Sequence, residues 1–197
     1  MVAEAIPENL DMKIAIMTEL DKHAPPDYII ASNSSSLRSR QMIVNTKNNY
    51  RICNAHYYMP PDQLYYEVMS YGYTDPEIFP FLMEKAAQAG LKPVHAKVES
   101  TGLVFNRIWA SLKREICLVL ADGVSDAHTV DDMFKSWFNA TKGPCEMMDT
   151  VGLDTVYNVE AVYSQQRGLD STATDWLKKN YVDKGNLGAK AGTGLLG

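Results

Sequence analysis

The sequence YIIASNSSSL, residues 28–37, has the clearest structural pattern in the first half of this chain. Its apolar start, residues 28–32, is short and bounded by turn residues, which predicts a buried parallel strand. Its serine-rich end predicts a tight loop directly after that strand. Open α/β sheets bind ligands beside the carboxyl ends of their strands, so the loop is a candidate binding site.

The segments around this stretch alternate between helix and strand. Apolar spacing predicts helices at 7–24, 37–46 and 75–89 and further strands at 51–56, 64–70 and 92–98. Beyond residue 99 only helical spacing is found, at 102–122, 129–140, 150–166 and 170–182. We therefore predict an α/β domain at 1–98 and an all-helical domain at 99–197.

His56 and Glu67, eleven residues apart, are the candidate catalytic pair. The predicted strand 51–56 places His56 at its carboxyl end. An imidazole accepts protons near neutral pH, and a carboxylate orients the ring and stabilises its charged form. The alternative is structural: a histidine that ends a strand with a backbone partner, and an exposed carboxylate at a strand end.

Composition limits the classes of function. The 197 residues are 46% hydrophobic with a net charge of -5, and no lysine or arginine block indicates a nucleic-acid surface. No run of eighteen apolar residues predicts a membrane span, and the first ten residues are acidic, unlike a targeting segment. Three cysteines without a CxxC pair predict reduced thiols in an intracellular compartment, cytoplasmic or the mitochondrial matrix, and no metal site.

Six segments, in order, resemble one family. The sequence motifs are SNSSSL (32–37), HYYMPP (56–61), YEV (66–68), GLVFNR (102–107), KGPCEMMDTVGLDT (142–155) and GAKAGTG (188–194). They are similar to SNTSSL, HFFNP, VEV, GFxxNR, MGPFELLDxVGLD and GKKTGEG of the L-3-hydroxyacyl-CoA dehydrogenases. The resemblance runs from Val2 to Gly194, and on it the chain is identified as a member of that family.

The resemblance implies a fold and a reaction. The fold is α/β plus all-α, the C-terminal part of a Rossmann-like parallel-sheet domain followed by a helical dimerisation domain. The reaction transfers a hydride between an L-3-hydroxyacyl-CoA and NAD. His56 is then the base, Glu67 its orienting carboxylate, and Ser35 and Asn106 hold the substrate, with Ser34 or Ser36 replacing Ser35 if the loop register shifts.

The resemblance also implies partners. NAD is contacted by Glu8, Lys13, Ser35 and Lys190, an acyl-CoA is the substrate, and the protein is a homodimer. The apolar residues Met147, Met148, Val151 and Leu153 then predict a self-associating face. His23, His95 and His128 match no motif, so we expect them to be structural or exposed.

Three features depart from the family pattern. No G-x-G-x-x-G turn follows a strand anywhere in the sequence, so we expect a chain truncated at the N-terminus, without the main cofactor cradle. Met59 stands where HFFNP has asparagine, and the spacing from His56 to Glu67 is one residue shorter than usual. Two other functions stay open: a dehydrogenase of free hydroxy or sugar acids, of the gulonate dehydrogenase and lambda-crystallin type, and a catalytically inactive dimeric binding protein.

Overall fold

A five-stranded sheet forms the centre of the first half of the chain. Its strands lie in the order β1-β2-β3-β4-β5, with bounds Val2–Glu4, Ile30–Ser32, Ile52–Met59, Gln63–Met69 and Lys92–Ala96. Strands β1, β2 and β3 are parallel, β4 is antiparallel to β3, and β5 is parallel to β4. The sheet is thus mostly parallel, in a computed structural model that describes residues 1–197.

Three helices belong to this half: α1 (Leu10–His23), α2 (Ser39–Met42) and α3 (Ile78–Gln88). Helix α1 begins after Asn9, whose side chain accepts a 3.0 Å hydrogen bond from the backbone N–H of Met12 and so satisfies a free donor of the first turn. The predicted helix 37–46 is reduced to the single turn α2. Apolar side chains of the sheet and α3 form the core: Ala31, Cys53, Ala55, Tyr66, Val68, Phe79, Leu82 and Ala86.

Strand β3 is longer than predicted, which changes the position of His56. The strand continues to Met59, and His56 is the fifth of its eight residues. The extension forms because residues 54–59 pair with β4, with His56 directly opposite Glu67 and Tyr57 opposite Tyr66. The prediction that His56 ends its strand was therefore wrong, because the pattern of one strand does not reveal how far its antiparallel neighbour extends the pairing.

The second half is entirely helical. It contains α4 (Val104–Ala121), α5 (Ala127–Phe138), α6 (Pro144–Val151), α7 (Leu153–Arg167) and α8 (Thr172–Asn180). The chain divides into two compact units, Met1–Asn106 and Arg107–Gly197. The first unit thus includes the opening residues of α4, which the predicted domain 1–98 left out.

Two details of the helical unit differ from the predictions. The predicted helix 150–166 is divided between α6 and α7 at Gly152, whose φ of +102° is a conformation that side-chain-bearing residues rarely adopt. Of the four residues predicted to form a self-associating face, Val151 is 43% exposed, but Met148 and Leu153 are 0% exposed and belong to the core of this unit, so the prediction was wrong for these two. Their spacing signalled burial within the unit itself.

Cys53, Cys117 and Cys145 are all free and buried. None of the helices combines the length and the apolar character needed to cross a membrane.

Candidate active site

The serine-rich loop after β2 binds the carboxylate of Glu8. One oxygen of Glu8 accepts hydrogen bonds from the hydroxyls of Ser34 (2.5 Å) and Ser36 (2.7 Å) and from the N–H groups of Ser36 (3.1 Å) and Leu37 (3.3 Å). Burial raises the pKa of Glu8, but these hydrogen bonds and the charge of Lys13 outweigh it, and the pKa is lowered. Glu8 is therefore an anion that organises the loop.

Lys13 lies beneath this loop and is almost inaccessible. Its side chain is 1% exposed, and its ammonium lies 2.8 Å from Glu4, 3.1 Å from the carbonyl of Ile6 and 3.5 Å from Glu8. The second oxygen of Glu4 accepts a 2.6 Å hydrogen bond from Ser32. The donors of Lys13 are thus used inside the protein, whereas the sequence predicted a direct contact with the cofactor.

Ser35 and Asn106 are brought together across 71 residues of sequence. The side-chain amide of Asn106 donates a 3.1 Å hydrogen bond to the carbonyl of Ser35. Asn106 belongs to the first turn of α4, as its early helical position predicted. The contact uses the amide nitrogen of Asn106 and the backbone of Ser35, so it does not engage the Ser35 hydroxyl predicted to hold the substrate.

His56 is buried in surroundings that favour its uncharged form. The residue is only 8% exposed, and the Nδ1 atom of its ring has no hydrogen-bond partner. Burial lowers the pKa of His56 to about 4, although the negative charge of Glu8 acts in the opposite direction. A neutral imidazole is the form that accepts a proton, so burial leaves the ring free to act as an acceptor while it lowers the basicity of the ring.

Glu67 faces His56 across the β3–β4 pair but binds other donors. Its carboxylate accepts a 2.5 Å hydrogen bond from the hydroxyl of Tyr58. It also accepts hydrogen bonds from the backbone N–H groups of Val104 and Phe105, at the start of α4. Burial raises the pKa of Glu67 despite these three donors. The sequence predicted an orienting contact with His56, and the structure instead joins the carboxylate to Tyr58.

Lys190 belongs to the helical unit. Its ammonium forms an ion pair with Asp154, in the first turn of α7, which lowers the pKa of Asp154. Lys190 is about half exposed. The structure therefore shows it in a contact within its own unit.

Tyr58 is the residue of this site that sequence reasoning overlooked. Its ring lies 4.7 Å from the ring of His56 in an edge-to-face arrangement. The sequence pattern did not place it there, because the predicted strand ended at His56, whereas β3 continues through Tyr58 to Met59.

The residues of this site could bind part of a dinucleotide cofactor, but they lack the usual donors for its pyrophosphate. The loop that follows β2 places Glu8 and Ser35 at the carboxyl edge of the parallel strands, where open sheets bind cofactors. A pyrophosphate needs free backbone N–H donors. Those of Ser36 and Leu37 are already bonded to Glu8, and no G-x-G-x-x-G turn follows a strand in the sequence.

Two family profiles match the chain. Residues 1–99 match the profile described as 3-hydroxyacyl-CoA dehydrogenase, NAD binding domain. Residues 102–196 match the profile described as 3-hydroxyacyl-CoA dehydrogenase, C-terminal domain.

Individual proteins of known or proposed activity are also similar to this chain. The chain is 47% identical over 146 residues to the 3-hydroxyacyl-CoA dehydrogenase-like protein LAM1 of Cochliobolus heterostrophus, covering 73% of the chain and 31% of that protein. It is 30% identical over 196 residues to a probable 3-hydroxybutyryl-CoA dehydrogenase of Bacillus subtilis, covering 99% of the chain and 68% of that protein. A solved (S)-3-hydroxybutyryl-CoA dehydrogenase from Ralstonia eutropha superposes with a TM-score of 0.88 at 28% identity, covering 98% of the chain and 69% of that structure.

Proposed function

The chain belongs to the 3-hydroxyacyl-CoA dehydrogenase family, and we propose that it is an oxidoreductase that transfers a hydride between an L-3-hydroxyacyl-CoA and NAD. The product of oxidation is the 3-ketoacyl-CoA. A dehydrogenase of free hydroxy or sugar acids and a catalytically inactive dimeric protein are not favoured, because the family profiles and the similar proteins point to hydroxyacyl-CoA chemistry.

The observation that carries the proposal is the buried, neutral His56 placed opposite Glu67. When the 3-hydroxyl is oxidised, the unprotonated nitrogen of His56 takes the O–H proton, and Glu67 stabilises the imidazolium that forms. NAD, when bound, supplies the acceptor for the hydride that leaves C3. In the reverse direction His56 returns the proton to the oxygen.

The remaining site residues position the reactants. We assign Ser35 and Asn106 to the substrate side, because their contact fixes the loop against the start of α4. We assign Glu8 and Ser35 to the cofactor side. Lys13 then acts through Glu8, with which it forms a 3.5 Å ion pair. For Lys190 a cofactor contact stays a prediction.

We also infer that the pyrophosphate of NAD is held by protein outside these 197 residues, since the sequence contains no glycine-rich turn after a strand. A homodimer is the proposed assembly. The apolar side chains that α5 exposes support it, namely Met133 (69% exposed), Trp137 (85%) and Phe138 (63%).

The test is an absorbance assay of NADH formation from (S)-3-hydroxybutyryl-CoA. It uses the 197-residue chain alone and the same chain fused behind the glycine-rich N-terminal segment of a family member. We expect turnover in the fused protein, and a loss of 10² to 10⁴ in kcat with little change in KM for His56→Gln, because the base acts mainly in the transition state.

His23→Gln is the matched control, because His23 is an exposed histidine at the end of α1. It should leave kcat unchanged. A fused protein that oxidises free 3-hydroxy acids but not the CoA thioester would contradict the proposed substrate. A His56→Gln variant with at least half of the parent kcat would contradict the proposed base.

A further inference from the structure

Tyr58 shares one face of β3 with His56. The two residues are two positions apart, Tyr58 lies at an irregularity in the pairing of β3 with β4, and its hydroxyl reaches Glu67, the residue opposite His56. Their ring centroids lie 4.7 Å apart with an interplanar angle of 85°, and the Tyr58 ring also meets Phe105 edge-on at 5.9 Å. The Tyr58 ring is thus fixed between the imidazole and the first turn of α4.

The hydroxyl of Tyr58 determines where the Glu67 carboxylate points. It donates a 2.5 Å hydrogen bond to Oε2, and the N–H groups of Val104 and Phe105 donate to the same carboxylate. Three donors therefore hold Glu67 at the N-terminus of α4, where the helix dipole also favours an anion. Nδ1 of His56, across the strand pair, is buried without a partner.

We propose that Tyr58 is a positioning residue for this reaction: its hydroxyl holds Glu67 at α4 while His56 is neutral and yields a carboxylate oxygen to the imidazolium. The inference rests on the proposed function. The substrate proton goes to His56, the imidazolium N–H then donates to Glu67, and Tyr58 keeps its own proton throughout. The arrangement limits how strongly the carboxylate raises the basicity of His56 before substrate is oxidised.

The charges around His56 determine the expected effect of removing the hydroxyl. Glu8 and Glu67 are the carboxylates involved: the first raises the pKa of His56, and the second is held by Tyr58. Burial is the larger effect and lowers that pKa to about 4. In Tyr58→Phe one oxygen of Glu67 loses its hydrogen-bond donor. That oxygen can then accept a hydrogen bond from protonated His56, which stabilises the imidazolium and raises the pKa of His56.

The experiment is an NMR titration of the histidine rings in the 197-residue chain, with the His56 signals assigned by their absence in His56→Gln. We expect the pKa of His56 to rise by about one pH unit or more in Tyr58→Phe, a tenfold change in proton affinity. Tyr57→Phe is the matched control. It removes a phenol hydroxyl from the neighbouring position, on the opposite strand face, where the ring packs 4.7 Å from Tyr66.

Glu67→Gln completes the test. This change should lower the His56 pKa much more in the Tyr58→Phe background than in the parent chain, because only the freed carboxylate pairs with the ring. Equal His56 titrations in Tyr58→Phe and Tyr57→Phe would overturn the proposal, even in a protein that oxidises hydroxyacyl-CoA. The predicted shift would support it in a preparation without turnover, because the titration needs neither substrate nor cofactor.

Discussion

Replacing Lys13 by methionine tests whether this residue is structural, as its contacts indicate, or available to a ligand. The change removes an ammonium that is 1% exposed and keeps a side chain of similar length. It leaves the fully buried carboxylate of Glu4 without the cation at 2.8 Å, and it leaves the carbonyl of Ile6 without its 3.1 Å donor. The hydroxyl of Ser32, at 2.6 Å, and the backbone N–H of Ile6, at 2.7 Å, would still donate to Glu4, but neither supplies a compensating charge.

The expected loss follows from this geometry. Removing one partner of a buried ion pair costs about 3–5 kcal/mol, because the remaining charge is uncompensated. The free energy of unfolding of an ordinary domain is about 5–15 kcal/mol, so Lys13→Met should remove a large share of this stability. Glu4→Gln in the same chain should restore part of the loss, because it removes the buried charge and keeps an acceptor for Ser32.

Urea unfolding followed by far-UV circular dichroism gives the free energy of unfolding, and hydrogen exchange at Ile30 and Ala31 gives the local stability of β2. Lys22→Met is the matched control on the same helix. Lys22 is 65% exposed, and its ammonium forms only a weak surface ion pair with Glu19 at 4.0 Å, so its loss should change stability by less than about 0.5 kcal/mol. If Lys13→Met costs no more than Lys22→Met, the buried pair contributes little and the structural assignment of Lys13 is refuted.

Three further predictions concern the cofactor, pH and assembly. Calorimetry should show that the 197-residue chain binds NADH at least about a hundredfold more weakly than a family member with the glycine-rich turn, roughly 3 kcal/mol; micromolar binding would contradict this. Because burial lowers the pKa of His56 from 6.5 to about 4, unfolded chains bind a proton that folded chains do not, so stability should fall by up to about 3 kcal/mol between pH 6.5 and pH 4. Urea titrations of His56→Gln should lack this part of the loss, and identical pH dependence in variant and parent would refute it. Light scattering at tens of micromolar protein should give twice the monomer mass of 22.0 kDa, and Trp137→Lys should give the monomer; a monomeric parent would count against the dimer.

The sequence alone determined the family, the fold class and the main chemical groups. Strands and helices leave local patterns in the sequence, such as hydrophobic runs bounded by turn residues. These patterns predicted the strands near residues 30, 53, 66 and 94 and the long helices of the second half. The motifs likewise singled out His56, Glu67, Ser35 and Asn106. Family profiles cover residues 1–99 and 102–196, in agreement with that assignment.

Which of these groups are in contact depends on the tertiary structure. The hydrogen bond from Asn106 to Ser35 joins residues 71 positions apart, and no local pattern encodes such a contact. The burial of Lys13 beneath Glu4 depends on the pairing of β1 with β2, so a charge that looks exposed in sequence is enclosed in the fold. The donor that Glu67 binds, Tyr58 rather than His56, depends on cross-strand register and on where α4 begins, and both are set by packing between elements distant in sequence.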